Sequence, residues 1–373
     1  MAPLRAIFAG GGTGGHLFPA IAIADEVRKQ QSDANILFVG TKDKLEARVV
    51  PQKGYEFRSI WISGFRRSFT LNNFLFPCKV MVSIMQALSI LKKFQPQVVI
   101  GTGGYVSGPV LYAATLLKIP TLIQEQNSYP GITTRMLASR VNEVHLTFAA
   151  SKKFLRRNDN VFVSGNPTRN DLETAPRSEA LSYFGFNAGE QRKTVLIFGG
   201  SLGAHSMNIA VMNSLDQLIN NNLRVIWQTG KEDIAQAELS EKKYSAGNIW
   251  AGAFIERMDY AYAASDLVIC RAGATTIAEL VRLGKPAILV PYPHAAANHQ
   301  VENARSLVDA GAAELINDDE VSEKLLQTTL TLLEEKRLQQ MSIQSKTLGK
   351  PEAAKSVADR VVQLGYSRAV VKA

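Results

Sequence analysis

Gly10-Gly11-Gly12-Thr13-Gly14-Gly15-His16 decides the fold of this chain. The segment follows the short apolar run Ala6–Ala9, which is typical of a buried strand, and precedes residues 17–28, where apolar side chains recur at helical spacing. A strand that turns through five glycines into a helix leaves the first N–H groups of that helix without partners, and the helix dipole favours negative charge there. The sequence therefore predicts an anion-binding turn with His16 at the start of the helix.

Length and composition limit the class of protein. The chain has 373 residues, of which 46% are apolar and 20% charged, so we expect about two folded domains. The net charge of +9 suits nucleic acid, an anionic membrane surface or anionic substrates, and does not choose between them. Two cysteines, Cys78 and Cys270, cannot build a disulfide framework or a cysteine-based zinc site.

Two further features bear on location. The glycine turn begins at residue 10, which leaves no room for a signal peptide before it. No stretch has 18 consecutive apolar residues, so we expect no transmembrane helix. The sequence predicts a cytoplasmic protein.

Strand-like apolar runs alternate with helical patterns along the whole chain. The runs are Ala6–Ala9, Ile36–Val39, Val98–Ile100, Thr121–Ile123, Glu143–Leu146, Val161–Val163, Val195–Phe198, Val225–Gln228, Ile249–Ala251, Leu267–Cys270 and Ala287–Val290. Most of the segments between them are long enough for a crossover helix. The pattern predicts an α/β fold with parallel sheets covered on both faces.

The strand–glycine–helix pattern occurs twice. Thr194–Phe198 leads into Gly199-Gly200-Ser201-Leu202-Gly203-Ala204-His205 and then into a helical pattern. We interpret this repeat as two Rossmann-like domains, 1–168 and 169–350, with 351–373 packing back on the first; one large sheet with two glycine turns is the alternative. In such domains ligands bind beyond the carboxyl ends of the strands, so we expect a cleft lined by those loops.

The first glycine turn does not fully match either of two nucleotide-binding signatures. Gly10, Gly12 and Gly15 satisfy G-x-G-x-x-G, but Val39-Gly40-Thr41-Lys42 at the end of the second strand lacks the acid that a dinucleotide ribose requires. A nicotinamide or flavin enzyme is therefore a weak alternative, and a P-loop fails because no Gly-Lys-Ser/Thr follows. His16 is either a structural donor or a general base, since imidazole exchanges protons near neutral pH.

Other strand ends carry polar groups. Gln124–Asn127 suits the hydroxyls of a sugar, and Glu279 lies inside a helix that opens with small residues after Leu267–Cys270, where it can accept from ribose hydroxyls. The chain contains no Asp-x-Asp clamp, and His294 and His299 have no nearby acid pair, so we expect no metal site. Helix N-termini and Arg169 would then offset the charge of a diphosphate.

Aromatic and basic residues mix between Trp61 and Phe94. Their combination suits the edge of an anionic bilayer, and the residues predicted to make membrane contact are Trp61, Phe65, Arg66, Arg67, Phe69, Phe74, Leu75 and Phe76. A buried helix pair with surface arginines is the alternative. Nucleic acid is not expected, because no nucleic-acid module accompanies the aromatics.

Seven segments resemble, in the same order, the motifs of the MurG family of bacterial glycosyltransferases. They are Gly10–Ala20, Gly103–Pro109, Glu125–Asn127, Gly165–Arg169, Gly199–Ala204, Arg271–Glu279 and His299–Ala304. The resemblance implies a GT-B fold of two Rossmann-like domains, whose first domain meets the lipid acceptor and the membrane and whose second binds the donor.

The family resemblance also implies an activity. The enzyme would be an inverting hexosyltransferase that needs no metal or other cofactor and moves N-acetylglucosamine from UDP-N-acetylglucosamine to the 4-hydroxyl of undecaprenyl-diphospho-N-acetylmuramyl-pentapeptide. This step of peptidoglycan synthesis, which serves cell shape and division, takes place on the cytoplasmic face of the plasma (inner) membrane. Other cell-wall synthesis proteins remain open as partners.

Site residues carry over position by position. The resemblance implies that His16 is the catalytic base, with Glu125 as the competing candidate, that Glu279 takes the ribose, and that the backbone of Ile255 pairs with uracil. Contacts to UDP-N-acetylglucosamine are implied for Thr13, Gly14, Gly15, Asn127, Arg169, Ser201, Ile255, Ala274, Thr275, Thr276, Ile277, Ala278, Glu279 and Gln300. Ala295–Asn298 departs from the family pattern, where an acid is expected. A UDP-N-acetylglucosamine 2-epimerase, another GT-B sugar-nucleotide enzyme and a non-catalytic nucleotide-binding module on a membrane complex are the rival interpretations.

Overall fold

Two compact units make up the chain. The structure, a computed structural model, describes residues 3–64, 76–173, 175–200, 202–244, 247–295 and 298–370. The first unit runs to Arg169 and takes up the chain again from Lys350, and the second unit is Asn170–Gly349. Each unit is an α/β domain built on its own sheet.

The described part of the first unit forms a seven-stranded parallel sheet. Its order is β3-β2-β1-β4-β5-β6-β7. The strands are β1 (Arg5–Gly10), β2 (Asn35–Gly40), β3 (Glu56–Ser59), β4 (Val98–Gly103), β5 (Thr121–Glu125), β6 (Glu143–Leu146) and β7 (Val161–Val163). The helices are α1 (Gly14–Gln30), α2 (Leu45–Gln52), α3 (Phe76–Phe94), α4 (Gly104–Leu116) and α5 (Ile132–Leu137), with 3₁₀ turns at Ala149–Phe154 and, in the second unit, at Asn170–Glu173 and Asp318–Glu320.

The described part of the second unit forms a six-stranded parallel sheet. Its order is β10-β9-β8-β11-β12-β13. The strands are β8 (Thr194–Phe198), β9 (Arg224–Gln228), β10 (Ile249–Gly252), β11 (Leu267–Cys270), β12 (Ala287–Leu289) and β13 (Ala313–Leu315). The helices are α6 (Arg177–Tyr183), α7 (His205–Asn220), α8 (Ile234–Glu241), α9 (Met258–Ala264), α10 (Ala274–Leu283), α11 (His299–Val308), α12 (Val321–Leu332) and α13 (Glu335–Thr347).

Both faces of the first sheet are covered, as the continuous apolar strands predict. Ala6 and Phe8 of β1 pack in a core with α1, while Ile7 and Ala9 pack in a second core with α4. All four side chains are fully buried. Burial of a side chain as large as isoleucine or phenylalanine contributes roughly 1.5–3 kcal/mol, so these strands hold the loops at their ends on a rigid base.

The C-terminal helix α14 (Ala353–Val370) returns to the first unit, as predicted. It packs along α1 and buries Val357 and Val361 in the core shared with β1. Arg360 also donates from Nε to Glu143 Oε2 on β6 at 3.1 Å. The helix is therefore fastened to the sheet by apolar burial and by an ion pair.

Strand order reverses at one place in each sheet. In the first, β1 lies between β2 and β4, and in the second, β8 lies between β9 and β11. Ligands of open α/β sheets bind outside the carboxyl ends of the strands at such switch points. We therefore expect ligands to bind at the loops after β1, β4, β8 and β11.

Candidate functional site

The loops after β1 and β4 touch backbone to backbone at the first switch point. Gly104 has a φ of +77°, and a Cβ placed on it would stand 2.3 Å from the carbonyl oxygen of Gly11. Only glycine tolerates both that backbone conformation and that approach. The two glycine-rich motifs that the sequence singles out thus form one packed surface.

A buried carboxylate that sequence reasoning missed lies inside the first glycine turn. The N–H of Gly12 donates to Glu46 Oε2 at 2.9 Å, and both the N–H and the hydroxyl of Thr41 donate to Oε1 at 3.0 and 2.7 Å. Glu46 is 1% exposed. The sequence predicts that the N–H groups of this turn bind an external anion, but the Gly12 N–H is already bonded to the carboxylate of Glu46. No motif around Glu46 indicated this, because the contact joins residues 34 apart.

His16 lies half-buried in the first turn of α1, between two acceptors. Its Nδ1 is 3.1 Å from the carbonyl oxygen of Thr102 and 2.9 Å from Gln126 Oε1. The hydroxyl of Thr102 donates in turn to the carbonyl oxygen of His16 at 2.8 Å. The ring is thus fixed by β4 and by the segment after β5.

Glu125, the competing candidate for the catalytic base, is hydrogen-bonded to the segment that follows it. Oε1 accepts from the N–H of Asn127 at 3.1 Å, and Oε2 accepts from the N–H of Gly131 at 3.0 Å and from the hydroxyl of Thr134 at 2.6 Å. The residue is 4% exposed. Both carboxylate oxygens therefore serve to close the turn between β5 and α5.

Arg169 and Thr13 lie beside the start of α1. Thr13 is the residue before the helix, in an extended conformation, and is exposed. The guanidinium of Arg169 stands 5.8 Å from the centre of the Phe18 ring, and that ring packs close to Gly14. The described structure thus gathers Thr13, Gly14, Gly15, His16 and Arg169 around one helix end, with a cation among them.

The second glycine turn, after β8, is organised differently. A Cβ built on Gly200 meets no atom within 4 Å among the described residues. His205, the first residue of α7, places Nδ1 2.8 Å from Asp233 Oδ1, and Asp233 is held in turn by the amide of Asn208 at 2.6 Å. Ser201, which is predicted to contact UDP-N-acetylglucosamine, lies outside the described residues.

The backbone N–H of Ile255 already has an intramolecular partner. It donates to Gln228 Oε1 at 2.8 Å, while Gln228 Nε2 donates to the carbonyl oxygen of Gly200 at 2.8 Å. Ile255 and Gln228 are 3% and 2% exposed. Hydrogen bonding of this N–H to uracil would therefore require the Gln228 amide to move away.

Glu279 of α10 is hydrogen-bonded to a tyrosine of α9. Its Oε2 accepts from the hydroxyl of Tyr262 at 2.9 Å, and the residue is 8% exposed. It shares the helix α10 with the predicted contacts Ala274, Thr275, Thr276, Ile277 and Ala278. Gln300, in the first turn of α11, accepts at Oε1 from the N–H of Tyr292 at 2.9 Å.

Arg271 is a second residue whose contacts the sequence did not predict. It donates from Nη1 to the carbonyl oxygens of Val290 and Pro291 at 3.2 Å and to Asp318 Oδ1 at 2.5 Å. It also donates from Nη2 to the hydroxyl of Ser206 at 3.2 Å. Arg271 therefore ties the starts of α7 and α10 to the ends of β12 and β13.

The predicted membrane stretch is described only at its two ends. Phe65, Arg66, Arg67, Phe69, Phe74 and Leu75 lie outside the described residues. Trp61 is 50% exposed, and the ammonium of Lys79 stands 5.6 Å from its ring. Met81 and Met85 of α3 are also exposed, whereas Phe76 is half-buried. None of the described helices is both long enough and apolar enough to cross a bilayer.

Two family models match the chain. The glycosyltransferase family 28 N-terminal domain matches residues 6–146, and the family 28 C-terminal domain matches residues 194–357. Two relatives, both named UDP-N-acetylglucosamine–N-acetylmuramyl-(pentapeptide) pyrophosphoryl-undecaprenol N-acetylglucosamine transferase, match at nearly full length. The one from Chlorobaculum parvum is 45% identical over 98% of this chain and 100% of its own length, and the one from Christiangramia forsetii is 43% identical over 97% and 98%.

Solved structures share the architecture. MurG of Acinetobacter baumannii is 29% identical and superimposes with a TM-score of 0.76, over 97% of this chain and all of its own. The UDP-N-acetylglucosamine 2-epimerase of Neisseria meningitidis, solved with UDP-N-acetylglucosamine, reaches a TM-score of 0.69 at 15% identity, over 97% of this chain and all of its own. At that identity the likeness shows the fold alone.

Proposed function

Since the chain belongs to glycosyltransferase family 28 and to the N-acetylglucosamine transferases that act on lipid-linked N-acetylmuramyl-pentapeptide, we propose that it catalyses this transfer itself. N-acetylglucosamine moves from UDP-N-acetylglucosamine to the 4-hydroxyl of undecaprenyl-diphospho-N-acetylmuramyl-pentapeptide, with inversion at the anomeric carbon. The observation that carries the chemistry is His16 at the first switch point: Nδ1 is bonded to the protein, and Nε2 has no hydrogen bond to any residue that the structure describes.

The reaction is a single displacement. The acceptor oxygen forms a bond to the anomeric carbon as the bond from that carbon to the donor diphosphate breaks, and the electron pair leaves with UDP. His16 Nε2 takes the hydroxyl proton, a role that contributes about 10²–10⁴-fold to the rate of typical enzymes. Arg169 and the helix N-termini offset the charge that grows on the diphosphate, as fixed donors do in other transfer reactions.

The second unit holds the donor in this proposal. Glu279 accepts from the ribose hydroxyls, and the small residues that open α10 let the phosphates approach its first turn. The backbone of Ile255 pairs with uracil once Gln228 turns away from it. Thr13, Gly14, Gly15, Asn127, Ser201 and Gln300 complete the predicted donor contacts.

Glu125 is a positioning group in this mechanism and not the base. Its two oxygens accept four hydrogen bonds, from Asn127, Gly131 and Thr134. A base must offer a free lone pair to the proton that it removes. The lone pairs of Glu125 already accept hydrogen bonds from the segment that carries Asn127.

The acceptor implies a membrane surface. We assign the protein to the cytoplasmic face of the plasma membrane as a peripheral protein, with the first unit in contact. Exposed Trp61 beside Lys79, together with exposed Met81 and Met85, supports this, because apolar and cationic side chains together suit an anionic bilayer edge.

One assay tests the proposed function. The protein is incubated with labelled UDP-N-acetylglucosamine and a short-chain lipid acceptor in the presence of a chelator. We expect label in a β-linked disaccharide lipid and one UDP released per transfer. Epimerised donor without lipid product would support a 2-epimerase instead, and donor binding without any turnover would support a non-catalytic module.

A further inference from the structure

The orientation of the Gln126 side-chain amide is determined by its surroundings. One end of the amide faces three acceptors: the carbonyl oxygens of Thr102 and Gln124 at 2.7 and 3.1 Å, and the side-chain oxygen of Gln124. Only the NH₂ end can face acceptors. Gln126 is 2% exposed, so no bulk water competes for these bonds.

This orientation determines which nitrogen of His16 carries the proton. With its NH₂ turned away, Gln126 presents Oε1 to His16 Nδ1 at 2.9 Å, and the carbonyl oxygen of Thr102 stands 3.1 Å from the same nitrogen. Both partners of Nδ1 are acceptors, so Nδ1 must bear the hydrogen. In a neutral imidazole the lone pair then lies on Nε2.

We propose that Gln126 is a positioning residue that holds His16 as its Nδ1–H tautomer and so leaves Nε2 as the proton-accepting nitrogen. The consequence for catalysis rests on the proposed function of His16, whereas the tautomer does not. An amide oxygen orients the ring as the carboxylate of a His–Asp pair does, but without adding a negative charge beside it.

Nitrogen NMR of the histidine rings measures this directly. The full chain is labelled with ¹⁵N-histidine and observed at alkaline pH, where free imidazole is neutral; a His16→Gln variant assigns the His16 signals. We expect an N–H type signal for Nδ1 and an unprotonated type signal for Nε2. An N–H signal on Nε2 in the unaltered protein would overturn the proposal.

Two variants separate Gln126 from its neighbours. Gln126→Met removes the shorter bond to Nδ1 while Thr102 keeps its carbonyl, so we expect a partial shift toward the Nε2–H tautomer; an unchanged spectrum contradicts the role of Gln126. Gln124→Met, the matched control, removes an equally buried amide from β5 but keeps the two backbone carbonyl oxygens that accept from the Gln126 NH₂, so the tautomer should stay as it was. If Gln126→Met does not fold, the tautomer measured in the unaltered protein still decides the proposal.

Turnover distinguishes failure of this inference from failure of the proposed function. In Gln126→Met we expect kcat to fall about 10-fold or more, within the contribution of a general base, while the affinity for UDP stays the same. A shifted tautomer with unchanged kcat would uphold the positioning of His16 and remove His16 as the base. An unshifted tautomer would remove the positioning role alone.

Discussion

The two glycine turns share one design and differ in what surrounds them. Each joins a central strand to a helix and places a histidine in the first turn of that helix, His16 in α1 and His205 in α7. The first turn closes on the protein's own groups, namely the Glu46 carboxylate and the Gly104 backbone, and its histidine bonds an amide and a carbonyl. In the second turn a Cβ built on Gly200 meets none of the described residues within 4 Å, and His205, 65% exposed, bonds a carboxylate. A similar strand–glycine–helix pattern thus gives the histidine carbonyl and amide partners in one unit and a carboxylate partner in the other.

The largest expected effect is a difference in kcat between variants of the two histidines. His16→Ala should lower kcat by about 10²–10⁴-fold, because it removes the group that takes the acceptor proton. His205→Ala should lower kcat less than about 10-fold, because no proton is assigned to it in that scheme. Steady-state transfer at saturating donor measures both, and a larger loss for His205→Ala would reverse the comparison.

The next effect tests how tightly each turn is packed. Gly104→Ala combines a left-handed backbone with a collision against the Gly11 carbonyl, and should cost roughly 3 kcal/mol or more of unfolding free energy. Gly200→Ala also has a left-handed φ, of +95°, but its Cβ would displace no atom of the part of the chain that the structure describes, and it should cost only about 1–2 kcal/mol. Urea unfolding of the two variants side by side measures the difference. Equal losses would show that the first turn is no tighter than the second.

Donor affinity should depend on the second unit through Glu279. Glu279→Ala should weaken UDP binding by roughly 10-fold, since hydrogen bonds to a charged group contribute about 1.5–3 kcal/mol and the tyrosine partner is lost with them. Glu302→Ala, which removes an exposed helix acid paired with Arg305, is the control and should leave affinity unchanged. Calorimetric titration with UDP decides, and equal affinities for the two variants would place the ribose elsewhere.

The smallest expected effect is on acid unfolding, through the ion pair between Glu143 and Arg360 that joins the C-terminal helix to the first unit. Burial would raise the pKa of Glu143, but hydrogen bonds from His145 and Arg360 outweigh it and lower that pKa below its usual range. The resulting stability is present at neutral pH, above the unfolded pKa of about 4.3, and is lost as the pH falls through the folded pKa. Arg360→Gln should therefore make the protein unfold at a higher pH during acid titration. Arg305→Gln, which breaks the exposed pair, should not shift the acid midpoint.

Sequence patterns predicted the strands of the sheet centres but not two edge strands. The central strands are continuous apolar runs, which leave little choice of structure. β3 consists of Glu56–Ser59, mostly polar and partly exposed, and β13 is Ala313–Leu315 with Glu314 at its centre, so neither has the apolar run that marks a buried strand. The edge position itself, which depends on pairing with a distant neighbour, is not encoded in local sequence.

The candidate site shows the same division. Glycine turns, His16 and Glu279 follow strand ends or helix starts and could be singled out from sequence. The Glu46 carboxylate under Gly12, the Gln228 amide on Ile255 and the Arg271 cluster could not, because each joins residues that are far apart in the chain. Those contacts decide which backbone groups of the two turns are open to a ligand.

The most direct test of this account compares the two candidate bases in single turnover. His16→Gln and Glu125→Gln are mixed with saturating labelled donor and lipid acceptor, and the rate of disaccharide formation is followed. We predict a loss of about 10²-fold or more for His16→Gln and of less than about 10-fold for Glu125→Gln, because Glu125 spends its oxygens on its own turn. A rate that survives in His16→Gln and collapses in Glu125→Gln would contradict the account.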